Sequence, residues 1–163
     1  MAEMQPQRRE DAKADAKEKR ESVFDFHARI GQSQPSPLDP SLEHLVTSVI
    51  GAAIEVHRAL GPGLPELAYQ NALSIELSLR GISHQCEVAV AIVYKRQKVA
   101  EGKIDMLVDE RLIIENKVVE SLNPVHRAQV LSYLHATHLE LALLINWNVA
   151  ILKDGIKRVI RTP

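Results

Sequence analysis

The chain has 163 residues, one cysteine and a formal net charge of −1, a combination typical of a single domain preceded by a tail. The balanced charge argues against a basic nucleic-acid coat protein and an acidic disordered protein, while one cysteine excludes a disulfide framework and a Cys-rich zinc site. Because no apolar run approaches the roughly 20 residues of a spanning helix and no secretory signal begins the chain, we expect a cytoplasmic protein with no membrane partner.

Residues 1–40 differ in composition from the rest of the chain. They carry 15 charged residues, 7 basic and 8 acidic, and they end in the polar, proline-punctuated run 32–37. This composition predicts a mostly disordered tail and linker. Residues 41–163 hold nearly all the large aliphatic side chains and are predicted to form one domain.

Two helices are predicted at the start of that domain. Asp39-Pro40 has the form of an N-cap followed by proline, and apolar residues then recur at helical spacing as far as Leu60. Gly61-Pro62-Gly63 ends this helix. Pro65 begins a second helix, which Gly81 ends in the usual position after the last turn.

Three strands are predicted next, from alternating apolar residues and abundant valine. They cover Ser83–Tyr94, Lys98–Val108 and Leu112–Val119. Cys86, on the first of them, is expected to be a small buried residue.

The last third of the domain is predicted to return to a helix and then to strands. Asn123-Pro124 begins a helix that runs to about Thr137, and Leu139–Ile145 has the composition of a buried strand. Val149–Ile160 is predicted as a hairpin around Asp154-Gly155, a favoured two-residue turn. The order α-α-β-β-β-α-β-β predicts an α/β domain with a mixed sheet.

Three ionisable residues are predicted to meet on the second and third strands. Glu115 and Lys117 are two positions apart, so they share a strand face, and the residues of opposite parity are apolar. Asp105 joins them only if an odd-numbered loop, Asp109 to Arg111, connects the strands. We predict that loop because it keeps Asp105 out of the apolar layer.

The chemistry of this group suits a hard divalent cation. Carboxylate oxygens are ligands that Mg²⁺ and Mn²⁺ prefer, and such an ion can polarise a phosphate and activate a water. Lys117 beside the ion can hold that water or neutralise charge on the phosphate. The alternative is a surface salt bridge between Lys117 and a neighbouring acid.

Two helices carry further polar candidates. Glu66 and Tyr69 share a face of the second helix, although an acid in a first helical turn also favours the helix dipole and Tyr69 suits the core. His126, Gln129 and Tyr133 form one polar stripe on the later helix. A glutamine there can hold a phosphate or orient a catalytic group, and a half-exposed helix face is the alternative.

These motifs together resemble a known family. Gly63-Leu64-Pro65-Glu66-Leu67-Ala68-Tyr69 matches the motif that names the GxxExxY protein family, which is assigned to the PD-(D/E)xK nuclease superfamily. The resemblance runs through most of residues 42–161 and leaves out the tail. The other matching segments are Gly51–His57, Ile104–Val108, Ile114–Lys117, Pro124–His126 with Gln129 and Tyr133, and Leu144–Asn148.

The resemblance implies a restriction-endonuclease-like core, a mixed sheet flanked by helices, and a set of site residues. The catalytic residues it implies are Glu66, Asp105, Glu115, Lys117 and Gln129. Of these, Asp105, Glu115 and Glu66 are the implied metal ligands, for Mg²⁺ or Mn²⁺. Tyr69, His126 and Tyr133 are the implied substrate-binding or supporting residues, and Gln129 with Tyr133 resembles the Gln-x-x-x-Tyr motif of the RecB-like branch.

One position departs from the family pattern. The residue between the glutamate and the lysine is usually apolar in such families, and here it is Asn116. By parity Asn116 points into the apolar layer, where its amide needs a hydrogen-bond partner.

The sequence leaves three functions open. The first is a metal-dependent nuclease acting on DNA or RNA. The second is a non-catalytic nucleic-acid- or protein-binding module on the same fold, which the near-zero net charge favours, and the third is a phosphoesterase for a small nucleotide. The oligomeric state is also open, a homodimer included.

Overall fold

The computed structural model describes residues 38–161. The predicted tail and linker of residues 1–40 lie outside the described residues, apart from their last three positions, and remain a prediction. Within 38–161, no helix is both long enough and apolar enough to cross a membrane.

Two helices open the domain, as predicted. Helix α1 spans Pro40–Leu60 and helix α2 spans Glu66–Leu79. The Asp39 carboxylate accepts a hydrogen bond from the backbone N of Ser41 at 3.0 Å and so caps α1. The chain leaves α1 at Gly61, where φ is +68°, a conformation that glycine adopts without strain.

Five strands form one mixed sheet in the order β1-β2-β3-β4-β5. They span His84–Tyr94, Gln97–Val108, Leu112–Lys117, Leu141–Asn146 and Ile156–Ile160. Only β3 and β4 pair in parallel, and helix α3, Pro124–Thr137, makes the crossover that a parallel pair needs. The predicted fold class, a restriction-endonuclease-like core with a mixed sheet flanked by helices, is confirmed.

The sheet separates two hydrophobic clusters. Residues of α1 and α2 pack on one side with Met106 and Ile114, and residues of α3 pack on the other with Ile104 and Ile113. Ile113 has the parity of the ionisable residues, so both faces of this hairpin are partly apolar. Ile104 and Met106 lie in different clusters although they are two positions apart, so β2 changes its facing direction at Asp105.

The hairpin predicted over Val149–Ile160 is wrong. Its turn residues lie in a short helix, α4, Leu152–Gly155, and only one strand, β5, follows. Gly155 passes so close to the backbone O of Asn146 that a Cβ atom would overlap that oxygen. The glycine therefore serves a close backbone approach and not a hairpin turn.

Two smaller expectations also fail. Cys86 is exposed because β1 is an edge strand. Strand β3 ends at Lys117, before Val119, because the Asn146 side chain binds both backbone polar groups of Val119, at 3.1 Å to its N and 2.9 Å to its O.

Candidate active site

The hairpin of β2 and β3 places Asp105 next to β3. Val108 pairs with Leu112, so the loop between the strands has three residues and the predicted odd loop is confirmed. The last pair of the ladder is Met106 with Ile114, so backbone pairing does not include Asp105. The Asp105 carboxylate instead accepts a hydrogen bond from the backbone N of Asn116 at 2.7 Å. The side chain of Asp105 thus continues the contact between the two strands where the ladder stops.

Glu115 and Lys117 form an ion pair inside the protein. Lys117 Nζ lies 2.6 Å from Glu115 Oε1, and the two side chains are 16% and 2% exposed. They share a strand face because they are two positions apart on β3. The alternative of a solvated surface salt bridge does not describe this pair.

Glu66 reaches the same region from the first turn of α2. Burial raises the pKa of Glu66, the charge of Asp105 raises it further, and the opposing influences come from Lys117, the backbone N–H of Val118 and His126. Residues from β2, from the end of β3 and from α3 therefore act electrostatically on the carboxyl group of Glu66, which α2 supplies. We call Glu66, Asp105, Glu115 and Lys117 the acidic cluster.

Burial dominates the electrostatics of this cluster. It raises the pKa of Glu115 to about 7, against the hydrogen bond from Lys117, and it raises the pKa of Asp105, against the hydrogen bond from Asn116. Burial lowers the pKa of Lys117, but the bond to Glu115 and the neighbouring acids outweigh it and the net shift is upward. The lysine is therefore a persistent cation among carboxyl groups that are costly to ionise.

The donor set of the cluster fits a divalent cation. Glu115 Oε2 is buried and has no hydrogen-bond partner, although buried carboxylate oxygens ordinarily have one. The three acids supply only hard oxygen donors and face one lysine, which favours Mg²⁺ or Mn²⁺ over Zn²⁺. Across residues 38–161, no three His, Cys, Asp or Glu side chains stand in a metal-holding arrangement.

The buried Tyr69 side chain holds the loop that precedes Glu66. Its side chain is fully buried, and its hydroxyl donates to the O of Gly61 at 2.6 Å and accepts from the N of Leu64 at 3.1 Å. These two bonds hold the loop that leads into α2 and Glu66. The role expected for Tyr69, substrate binding or support, stays a prediction.

The polar stripe of α3 has two separate parts. Gln129 Nε2 donates to the Tyr133 hydroxyl at 3.1 Å, and Tyr133 is largely buried in the second cluster. His126 Nδ1 accepts from the backbone N of Asn123 at 3.3 Å, completing a capping box at the start of α3. His126 acts electrostatically on Glu66, whereas the Gln129 side chain makes its hydrogen bond to Tyr133 and none to the acidic cluster among residues 38–161.

A buried network connects β3 to α2. Asn116 is fully buried, and its Oδ1 accepts from Trp147 Nε1 at 2.9 Å. Trp147 stacks on Tyr69 with ring centroids 4.8 Å apart, and its backbone N donates to the O of Lys117 at 2.9 Å. Trp147 is therefore the partner of the Asn116 amide oxygen, whereas the buried Nδ2 of Asn116 has no hydrogen-bond partner among the described residues. Parity indicated the need, but no sequence pattern identified the partner.

A second charged group adjoins Asp105, and no sequence pattern indicated it. Glu87 lies opposite Asp105 across the β1–β2 ladder and has a left-handed φ of +58°. Its carboxylate pairs with Lys103 and accepts from Gln70 Nε2 at 2.9 Å. These residues come from three elements, so no local spacing relates them. The unusual φ of Glu87 is visible only in the folded chain.

The domain is similar in sequence to a family of nucleases. A family model described as the PD-(D/E)XK nuclease superfamily matches residues 43–159. No curated protein is significantly similar to the chain. A crystal structure of SSO0001 is similar at 18% identity and a TM-score of 0.39, over 71% of this chain and 66% of that one. The chain thus spans just under two thirds of the length of that protein.

Proposed function

Because the chain belongs to the PD-(D/E)XK nuclease superfamily, we propose that it is a metal-dependent nuclease that hydrolyses phosphodiester bonds in DNA or RNA. Nucleases of this superfamily generally use divalent metals. We further propose that it is a GxxExxY protein of the RecB-like branch. One observation carries the proposal above all, the buried, unpartnered Oε2 of Glu115 in a cluster of three acids and one lysine.

Asp105, Glu115 and Glu66 would hold the cation, Mg²⁺ or Mn²⁺. When bound, such an ion polarises a phosphate and lowers the pKa of a bound water. The protein's own contribution is to keep the carboxyl group of Glu115 buried, and those of Asp105 and Glu66 half-buried and near enough to act on it electrostatically. Since burial opposes their ionisation, they gain more from a divalent cation than exposed carboxylates do.

Lys117 supplies a fixed positive charge at the reacting phosphate. Its pKa is raised, so its ammonium group stays protonated at neutral pH. In that state it donates hydrogen bonds, which stabilise negative charge as it builds on the phosphate oxygens. Gln129, His126 and Tyr133 on α3 are proposed to contact or position the substrate beside it.

The test is cleavage of single- and double-stranded DNA and RNA by the pure protein in Mg²⁺ or Mn²⁺. Lys117→Ala should abolish cleavage, and Glu115→Gln should abolish it too. The matched controls are Lys153→Ala and Glu140→Gln, exposed residues outside the acidic cluster, which should cleave normally. Circular dichroism and thermal unfolding verify that each variant remains folded.

The other outcomes decide between the alternatives. Cleavage of mononucleotides alone would identify a small-nucleotide phosphoesterase. Nucleic-acid binding without cleavage and without metal binding in calorimetry would identify a non-catalytic module.

A further inference from the structure

The ends of β1 and β2 extend beyond the domain as a two-stranded arm, residues 91–101. Every residue of the arm is exposed, although its strands remain paired as far as Tyr94 and Gln97. Its large apolar side chains are exposed as well, namely Ile92, Val93, Tyr94 and Val99. An uncovered two-stranded hairpin is marginally stable in water. A binding role would account for an arm that extends away from the core of residues 38–161.

The turn at the tip of the arm carries two positive charges in an unfavourable conformation. Lys95 and Arg96 both have left-handed φ values, +46° and +66°. Two-residue turns of this kind favour Asn-Gly, so lysine and arginine do not stand there for the sake of the turn. Among described residues neither forms an ion pair, whereas the neighbouring Lys98 is paired with Glu101.

The arm leads back along β2 to the acidic cluster. Lys103, two positions before Asp105, has a side chain that is 61% exposed. From Asp105 to Arg96 is nine positions of strand, which corresponds to about 30 Å. The Lys103 ammonium is paired with the Glu87 carboxylate. Within the hairpin of residues 84–108, the positive charge without an ion-pair partner among described residues therefore lies at the far end of the arm, on Lys95 and Arg96.

We propose that the arm binds the phosphodiester backbone of a nucleic-acid polymer whose reacting phosphate lies at the acidic cluster, an inference that rests on the proposed function. Lys95 and Arg96 contact phosphates about 30 Å from the reacting one, or about nine base pairs along a duplex. The exposed ring of Tyr94, with Lys95 Nζ 5.4 Å from its centroid, offers a surface on which a base can stack. The substrate is accordingly a polymer and not a mononucleotide.

The decisive variant removes the charge and improves the turn. Lys95→Asn combined with Arg96→Gly places the favoured residues in the same geometry, so folding of the arm is preserved. Binding of a duplex of about 20 base pairs is measured by fluorescence anisotropy across about 50 to 200 mM salt, with EDTA present to prevent cleavage. We expect weaker binding and a plot of log K against log salt that is shallower by about 1.8, or about 0.9 per lost phosphate contact.

The matched control removes two charges at the opposite edge of the sheet. Lys153→Ala with Lys157→Ala alters α4 and β5, far from β1 in the strand order, and should leave the slope unchanged. A dinucleotide is too short to reach the tip, so the arm variant should leave kcat/KM for its hydrolysis unchanged.

Three results would overturn the inference. They are an unchanged slope in the arm variant, an equal loss in the control variant, and a dimer seen in sedimentation that the arm variant dissociates while duplex binding persists. Duplex binding that depends on the arm, with no cleavage in Mg²⁺ or Mn²⁺, would support nucleic-acid binding by the arm and contradict the proposed nuclease activity. Cleavage and duplex binding that are the same with and without the arm substitutions would support the proposed nuclease activity and contradict the role of the arm.

Discussion

Glu115→Gln removes a buried carboxyl group and keeps its shape. Burial raises the pKa of Glu115 from its ordinary value of 4.5 to about 7. A carboxyl group with a raised pKa holds its proton more tightly in the folded protein than in the unfolded chain. Its contribution to stability is therefore complete below pH 4.5 and is lost as the pH rises to about 7. The loss corresponds to about 3 kcal/mol of unfolding free energy.

The assay is thermal or urea unfolding between about pH 5 and pH 8 without divalent metal. The unsubstituted protein should lose about 2.5 kcal/mol relative to Glu115→Gln over that interval, since part of the loss has already occurred at pH 5; for a domain of this size that is a relative shift in Tm of about 10 °C. Glu140→Gln, which changes an exposed carboxyl group, should follow the unsubstituted protein at every pH.

Mn²⁺ connects this pH dependence to the proposed site. At about pH 8 an ion bound to the ionised Glu115 stabilises only the folded state, by about 3 kcal/mol at a hundredfold excess over Kd. Mn²⁺ should therefore raise the Tm of the unsubstituted protein far more than that of Glu115→Gln. Parallel stability curves for the two proteins across the pH range would contradict a raised pKa of Glu115, because the carboxyl group would then titrate alike in the folded and unfolded states.

Three further substitutions test the supporting structure, each measured by urea unfolding. Trp147→Phe removes the donor to the buried Asn116 amide and should cost about 1–3 kcal/mol, and adding Asn116→Leu should recover most of that loss, since the unpaired amide is then gone. Tyr69→Phe deletes both hydrogen bonds to the loop before α2, so it should cost about 1 kcal/mol and weaken Mn²⁺ binding in calorimetry. Gly155→Ala should cost more than about 2 kcal/mol, because a Cβ overlaps the Asn146 backbone. An unchanged midpoint in any of them would contradict the contact concerned.

Local rules were sufficient where the decisive interactions are local. The cap at Asp39 and the break at Gly61 follow from neighbouring residues, and the structure contains both. The loop between β2 and β3 followed from parity alone, because a carboxylate facing an apolar layer is too costly. Local rules failed at Gly155, where the constraint is the backbone O of Asn146 at the end of β4, the strand that pairs with β5.

The candidate site was predicted in part for the same reason. Glu115 and Lys117 share a strand, so their two-position spacing predicts that they lie on one face and can pair. Glu87 and Gln70 come from different elements, and only packing brings them beside Asp105.

Spacing and turn chemistry act over a few positions, so they were enough to predict the order of helices and strands as far as β4 and the candidate residues of the acidic cluster, but not α4. Only the tertiary structure determines how far those residues are buried and which oxygen of Glu115 has no hydrogen-bond partner. It also determines that Trp147 donates a hydrogen bond to the amide oxygen of Asn116. It also decided that the basic turn stands on an exposed arm. Burial and contacts between distant segments arise only when the whole chain packs, so no local pattern encodes them.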